Sequence, residues 1–330
     1  MKRKMLMRVI ILSSILVKLI SGICTWPDAF ANTVYDDSSK GEITFHTDTL
    51  TGWTIKITVI TGSPEYDTWR CHSTALYESD NILVMISEST FAPFGTQLYG
   101  FICLKLTEIT QSSYRYYLNY REEPNIDNER VAMSTNSNRD DWGLLCMLDD
   151  TYASYLPAES EYRVMLKSDS VASAKIDCPY AFLGSYDYTH TSSDGTITCE
   201  SSSDSLSTCT ESTEISFDYN TCPTKVAYSV SDSVWCVDTV PSGGNNYITV
   251  YNGYDADSDI DNTNVYRFTC IAISVDGTMA SIAPNSCRKD QTPDALPTQN
   301  GANIGSTLTL TKTAGKLFYI CYIVSLYKRH

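Results

Sequence analysis

The sequence predicts an all-β protein of two tandem antiparallel modules, each stapled by disulfides and folded as a barrel or a sandwich. Three observations carry that prediction. Apolar side chains alternate with period two, and long helical periodicity is absent. Twelve cysteines follow an N-terminus that reads as a secretory leader. Landmarks of the first half recur, in the same order, in the second, as expected of a duplicated unit.

The leader comes first. MKRK supplies positive charge, Val9 to Val17 (VIILSSILV) an apolar stretch, and Ser21-Gly22 small residues for cleavage. Residues 1–22 are therefore expected to be a signal peptide. The apolar stretch is too short to cross a hydrocarbon core of about 30 Å, and Arg8 and Lys18 interrupt it, which opposes a retained anchor.

Each module then opens alike. CTWPDAFANTVYDDSSKGEITF and CPYAFLGSYDYTHTSSDGTITC both run Cys, an aromatic near Pro, Ala-Phe, Tyr-Asp, a Ser-rich turn and Gly-x-Ile-Thr. In WTIKITVI, the residues Trp53, Ile55, Ile57 and Val59 would share one strand face. In YRYYLNY that face is Tyr114, Tyr116, Leu118 and Tyr120, with Tyr117 pointing the other way. YITVY (Tyr247 to Tyr251) and LTLT (Leu308 to Thr311) alternate similarly, and Gly, Asn, Asp, Ser and Pro punctuate the runs as turns. YGFICLKL matches YRFTCIAI, and a Trp stands beside a Cys before each, in TWRC and VWC. The first module is placed at residues 23–168, a polar linker at 169–177, and the second at 178–313 with a Ser-rich insertion. A short apolar tail fills 314–330.

Behind a leader, the cysteines read as a disulfide framework made in an oxidising compartment. Zinc would want close pairs such as C-x-x-C, and the closest spacing is ten residues, Cys199 to Cys209. The shared set is Cys24, Cys71, Cys103 and Cys146 in the first module, and Cys178, Cys236, Cys270 and Cys287 in the second. Cys199, Cys209 and Cys222 are extra in the second, and Cys321 is either a fourth partner or a free thiol. Four cysteines allow three pairings. Similar separations, 32 and 34 residues, favour Cys71 with Cys103 and Cys236 with Cys270. Cys24 would then pair with Cys146.

Several of these stretches resemble an invertebrate, notably molluscan, family of secreted or cell-surface Cys-rich proteins, known only as tandem domains of unknown function. The similar elements are the opening C-x-W-P, VYDDSSKGEITF, LTGW, NERV (Asn128 to Val131), CPYAFLGSYDY and VYRFTC. The resemblance covers nearly everything from Cys24 to about Thr313. It implies extracellular placement, disulfides and consecutive β-rich domains, and it supplies no catalytic or ligand residues. The end of the chain departs from the family pattern. Leu317 to Tyr327 is too short an apolar run to span a bilayer, which leaves a buried last strand, a truncated anchor or a gene-model artefact.

Composition limits the chemistry. The formal net charge is -15, and removal of the leader would take away five positive charges. That balance opposes binding to nucleic acid or to an anionic membrane surface. His46, His72, His190 and His330 sit in no G-x-S-x-G or H-E-x-x-H context, and bridged cysteines offer no thiolate, so no enzyme is expected. Asp255, Asp257, Asp259 and Asp261 alternate in YDADSDIDN like part of a calcium loop. Ile260 stands where such a loop needs Gly, and Tyr266 where it needs Glu, so a solvated loop is the plainer reading. No cofactor, metal or catalytic residue is expected. Twenty-three tyrosines suit half-buried strands and binding surfaces alike. The expectation is a non-enzymatic extracellular binding or structural protein, its partner an extracellular protein or glycan. The alternative is a lipocalin-like carrier of small apolar ligands, since LGSYDY and LTGW faintly resemble a lipocalin barrel entry.

Overall fold

A computed structural model describes residues 24–59, 62–92, 95–201, 205–209, 211–224, 226–255 and 265–313. The expected leader, the end of the chain with Cys321, and Asp257, Asp259 and Asp261 lie outside the described residues.

Strand-forming alternation closes on itself twice. In the first half β1 (Thr33–Asp37), β2 (Gly41–Phe45), β3 (Thr49–Thr51), β4 (Trp69–Ser73), β5 (Ile82–Ser87), β6 (Tyr99–Thr110), β7 (Ser113–Leu118) and β8 (Arg163–Lys167) pair in chain order. All neighbours are antiparallel, and β1 closes against β8 with Tyr35 opposite Lys167. Ala132–Ser134 only extends the β6 edge beyond β7. The second half repeats this with β9 (Ser185–Thr191), a two-part β10 (Ile197–Glu200 and Leu206–Ser207), β11 (Glu214–Phe217), β12 (Ser233–Ser242), β13 (Asn245–Tyr251), β14 (Phe268–Ser274), β15 (Met279–Pro284) and β16 (Ser306–Lys312). There β9 closes against β16 with Tyr188 opposite Leu310. The fold is all-β, and the choice between barrel and sandwich falls to two eight-stranded antiparallel barrels, each of whose walls closes on itself.

The duplication reaches into detail. Hairpin β1–β2 turns at Asp37, whose Oδ1 accepts from the backbone N–H groups of Ser39 (2.8 Å) and Lys40 (2.9 Å). Hairpin β9–β10 turns at Asp194, whose Oδ1 accepts from Ser192 Oγ (2.6 Å) and the Thr196 N–H (2.8 Å). A bulge follows the cysteine of each fourth strand, between Cys71 and Ser73 in β4 and between Cys236 and Asp238 in β12. The Ser-rich stretch from Cys199 to Cys222 supplies wall strands β10 and β11, so it is structural rather than a mere loop. WTIKITVI contributes only the short Ile55–Lys56 segment, paired with Glu65–Tyr66 outside the barrel. Trp53, Ile55 and Ile57 are buried in the lumen cluster, whereas Val59 is exposed.

The favoured disulfide pairing is corrected. Bridges join Cys24 to Cys71, Cys103 to Cys146, Cys178 to Cys236, Cys270 to Cys287 and Cys199 to Cys222, and Cys209 is bridged as well. Cys71 lies on β4 and Cys103 on β6, with the whole of β5 between them. At about 4.8 Å per strand their backbones stand about 9.5 Å apart, too far for a bridge. Their side chains also part, Cys71 inward to the lumen cluster and Cys103 outward. Cys236 and Cys270 repeat that geometry on β12 and β14. The equivalence of the two cysteine sets survives. In both barrels one bridge ties the entry segment to the fourth strand, and another ties the sixth strand to a later connection.

Side chains fill both lumens. In the first, the Phe30 ring lies 5.4 Å from Phe45 and 4.9 Å from Tyr114, with Trp26, Tyr35, Trp53, Trp69 and Met165 in the same cluster. In the second, Phe182, Tyr186, Tyr188, Leu206, Ile248, Ile271, Leu308 and Leu310 do the same. Tyr114, Tyr116 and Leu118 point inward as their alternation predicts; Tyr120 lies beyond the strand and packs in the outer cluster with Cys103.

Candidate functional site: the cleft between the barrels

The two barrels meet along a buried seam, and it explains why some strands are apolar on both faces. Ile248 and Val250 of β13 point into the lumen, while Tyr247 and Tyr251 point outward to the other barrel. They join Trp235, Val237, Phe268 and Ala272 from the second barrel, with Tyr162, Val164 and Leu166 from the first. Tyr117 packs there too, opposite in direction to Tyr116. The linker stretch takes part, since Ala174 is buried in this cluster and Val171 packs against it.

Polar groups pin the seam at fixed points. Arg115 of β7 donates through Nε to Asp238 Oδ2 of β12 at 2.6 Å and through Nη2 to Asp238 Oδ1 and to the Thr239 carbonyl, the latter at 2.9 Å. Burial pushes the Asp238 carboxyl above its ordinary value even though Arg115 pulls it down. Asp36 of β1 accepts from Tyr251 Oη and Arg267 Nη1, both at 2.9 Å.

At one end of the seam the surfaces part to leave a cleft of about 140 Å³. Leu118, Arg130, Glu161 and Arg163 line it from the first barrel, and Ser286, Cys287, Arg288 and Lys289 from the second. The Cys270–Cys287 bridge holds the second wall against β14. Arg130 donates to the carbonyls of Tyr120 (2.7 Å) and Tyr155 (2.8 Å) and to Glu161 (2.9 Å), which fixes its guanidinium. Lys289 reaches across the barrels to Glu122 at 3.1 Å. Arg163 donates Nη2 to Glu129 at 3.3 Å, and Lys40 bonds the same carboxylate. Burial opposes ionisation of Glu129, but Arg163 and Lys40 outweigh it and hold that carboxyl down at about 2. Arg163 Nη1 is buried with no hydrogen-bond partner. Among the described residues the lining thus carries four cations and one carboxylate, in a chain of net charge -15.

Residues 174–302 match the family described as Domain of unknown function (DUF7042). The match spans most of the second barrel and includes Ser286 to Lys289 of the cleft. No curated protein and no solved structure matches the chain.

The three described histidines do not converge. His46 bonds Thr51, His72 meets the Arg139 carbonyl at 2.7 Å, and His190 is buried against Thr198 Oγ1 at 2.6 Å. No group of three or more His, Cys, Asp or Glu is placed to hold a metal among the described residues. Of the alternating aspartates only Asp255 is described, and its Oδ2 accepts from the Val230 N–H (2.8 Å), Asn252 Nδ2 (2.7 Å) and Ser229 Oγ (3.0 Å). No helix among the described residues is long and apolar enough to cross a membrane.

The sequence reading missed Arg130, Arg163, Arg288 and Lys289 as a group. Two short signals existed: Arg130 sits in NERV, and Arg288-Lys289 follow Cys287 directly, adjacent cations in an acidic chain.

Proposed function

We propose that this chain is a non-enzymatic extracellular binding or structural protein whose two barrels act as one rigid body. The observation that carries the reading is the filling of both lumens by the protein's own aromatic and branched side chains, while the barrels are joined by a buried seam. Contact with a partner protein or glycan then falls to the outer surfaces and to the cleft. The bridges favour an oxidising compartment, so secretion is the first placement and attachment at the cell surface the alternative. Kinship with the invertebrate tandem-domain family belongs to the same reading.

A lipocalin-like carrier is the second reading, favoured by the closed eight-stranded antiparallel wall. A ligand-sized apolar pocket runs to about 300–1,000 Å³, and the packed rings stand where one would have to be. Titration with a fluorescent fatty acid, together with native mass spectrometry of the purified protein, separates the two. The binding or structural reading expects no saturable uptake and no co-purifying lipid, and retention on an immobilised panel of matrix proteins and glycans. Stoichiometric lipid release or one-to-one fatty acid binding would replace it with the carrier.

A further inference from the structure

We propose that the cleft between the barrels binds one small oxyanion, a phosphate, sulfate or carboxylate group that is either free or the end group of a larger ligand. The charge of the walls selects the sign. Among the described residues Arg130, Arg163, Arg288 and Lys289 line the cleft together with Glu161. With the neighbouring Lys40, Glu122, Glu129 and Asp37 counted, five cations still exceed four carboxylates among the described residues. A cation is repelled from such a place.

Donor geometry selects the chemistry. A buried donor without an acceptor is costly, and Arg163 Nη1 is such a donor on a residue of the lining. Arginine forks match the paired oxygens of an oxyanion, and three of the four cations are arginines. Arg130 is locked by two backbone carbonyls and Glu161, so one wall is ordered before any ligand arrives.

Size sets the limit. A cleft of about 140 Å³ takes an oxyanion with a little water, and it is too small for a drug-sized ligand. Each barrel supplies half of the cations, so neither barrel alone makes the site.

The test is isothermal titration calorimetry of the full secreted chain, disulfides intact, with sodium phosphate, sodium sulfate and sodium acetate against sodium chloride at matched ionic strength. One-to-one saturable binding of at least one oxyanion is expected, weakened tenfold or more in Arg288→Gln/Lys289→Gln. Circular dichroism and the melting temperature check that this variant keeps its fold. Arg163→Gln should weaken binding as well, and the double variant carries the test should Arg163→Gln fail to fold. A sulfated disaccharide bound at least tenfold more tightly than inorganic sulfate would identify a glycan end group, and equal affinity a free ion. No saturable heat beyond chloride, or equal binding by the native chain and the folded double variant, overturns the proposal.

Discussion

Arg115→Met tests the seam most directly. In the native protein the Asp238 carboxylate is almost fully buried and accepts two hydrogen bonds from the Arg115 guanidinium. Without Arg115 it keeps the Thr239 N–H at 2.8 Å and no facing cation from the other barrel. Breaking a buried pair by removing one partner costs about 3–5 kcal/mol, because a charge is left uncompensated. The Thr239 carbonyl also loses its donor, so a loss near 4 kcal/mol is expected. The sign with pH follows from Asp238. Burial holds its folded pKa above its unfolded value, so stability falls as pH rises through the folded value. Losing Arg115, which pulls that pKa down, raises it further, so the variant's deficit is smaller near pH 4 than at pH 7.5. Removing both partners, as in Arg115→Met/Asp238→Leu, should return stability to within about 1 kcal/mol of native. Urea denaturation followed by tryptophan fluorescence reads the seam through Trp235. A loss below about 1 kcal/mol in Arg115→Met, or a double variant as unstable as the single one, refutes this account of the interface.

Four further outcomes are expected. Peptide mapping without reduction should recover Cys24 joined to Cys71 and Cys103 joined to Cys146, and a Cys71–Cys103 peptide would contradict the strand order. Cys103→Ser/Cys146→Ser opens a loop with a sequence separation of 43 and should cost about 4 kcal/mol in a denaturant titration at fixed pH. Burial lowers the His190 pKa to about 4, so stability is full above about pH 6.5 and declines by up to about 3 kcal/mol as pH falls toward 4; in His190→Gln that decline should flatten, and an unchanged profile would assign it elsewhere. Gly52 has φ of +86°, and a Cβ there would stand 2.4 Å from the Glu42 carbonyl oxygen, so Gly52→Ala should lower stability by about 2 kcal/mol or more, read as a lower melting temperature.

Much of the fold was legible. Alternation in YRYYLNY placed Tyr114 and Tyr116 on one shared face, which the structure turns inward, and the recurring Trp-Cys and Tyr-x-Phe-x-Cys landmarks fell on equivalent strands, β4 with β12 and β6 with β14. WTIKITVI was legible only in part, because alternation reports a buried face without naming the strand that covers it. The cleft was not legible. Arg130, Arg163 and Arg288 are remote in sequence and meet only because two barrel surfaces are pressed together.

Sequence pattern by itself determined the all-β character, the duplication and which cysteines correspond, since each is carried by short motifs and their order along the chain. Closure of the walls, the identity of the cystine partners and the cationic cleft were decided only by the tertiary structure. Hydrogen bonds between β1 and β8, the width of β5 between Cys71 and Cys103, and the seam between barrels are all set by distances in space that chain order does not encode.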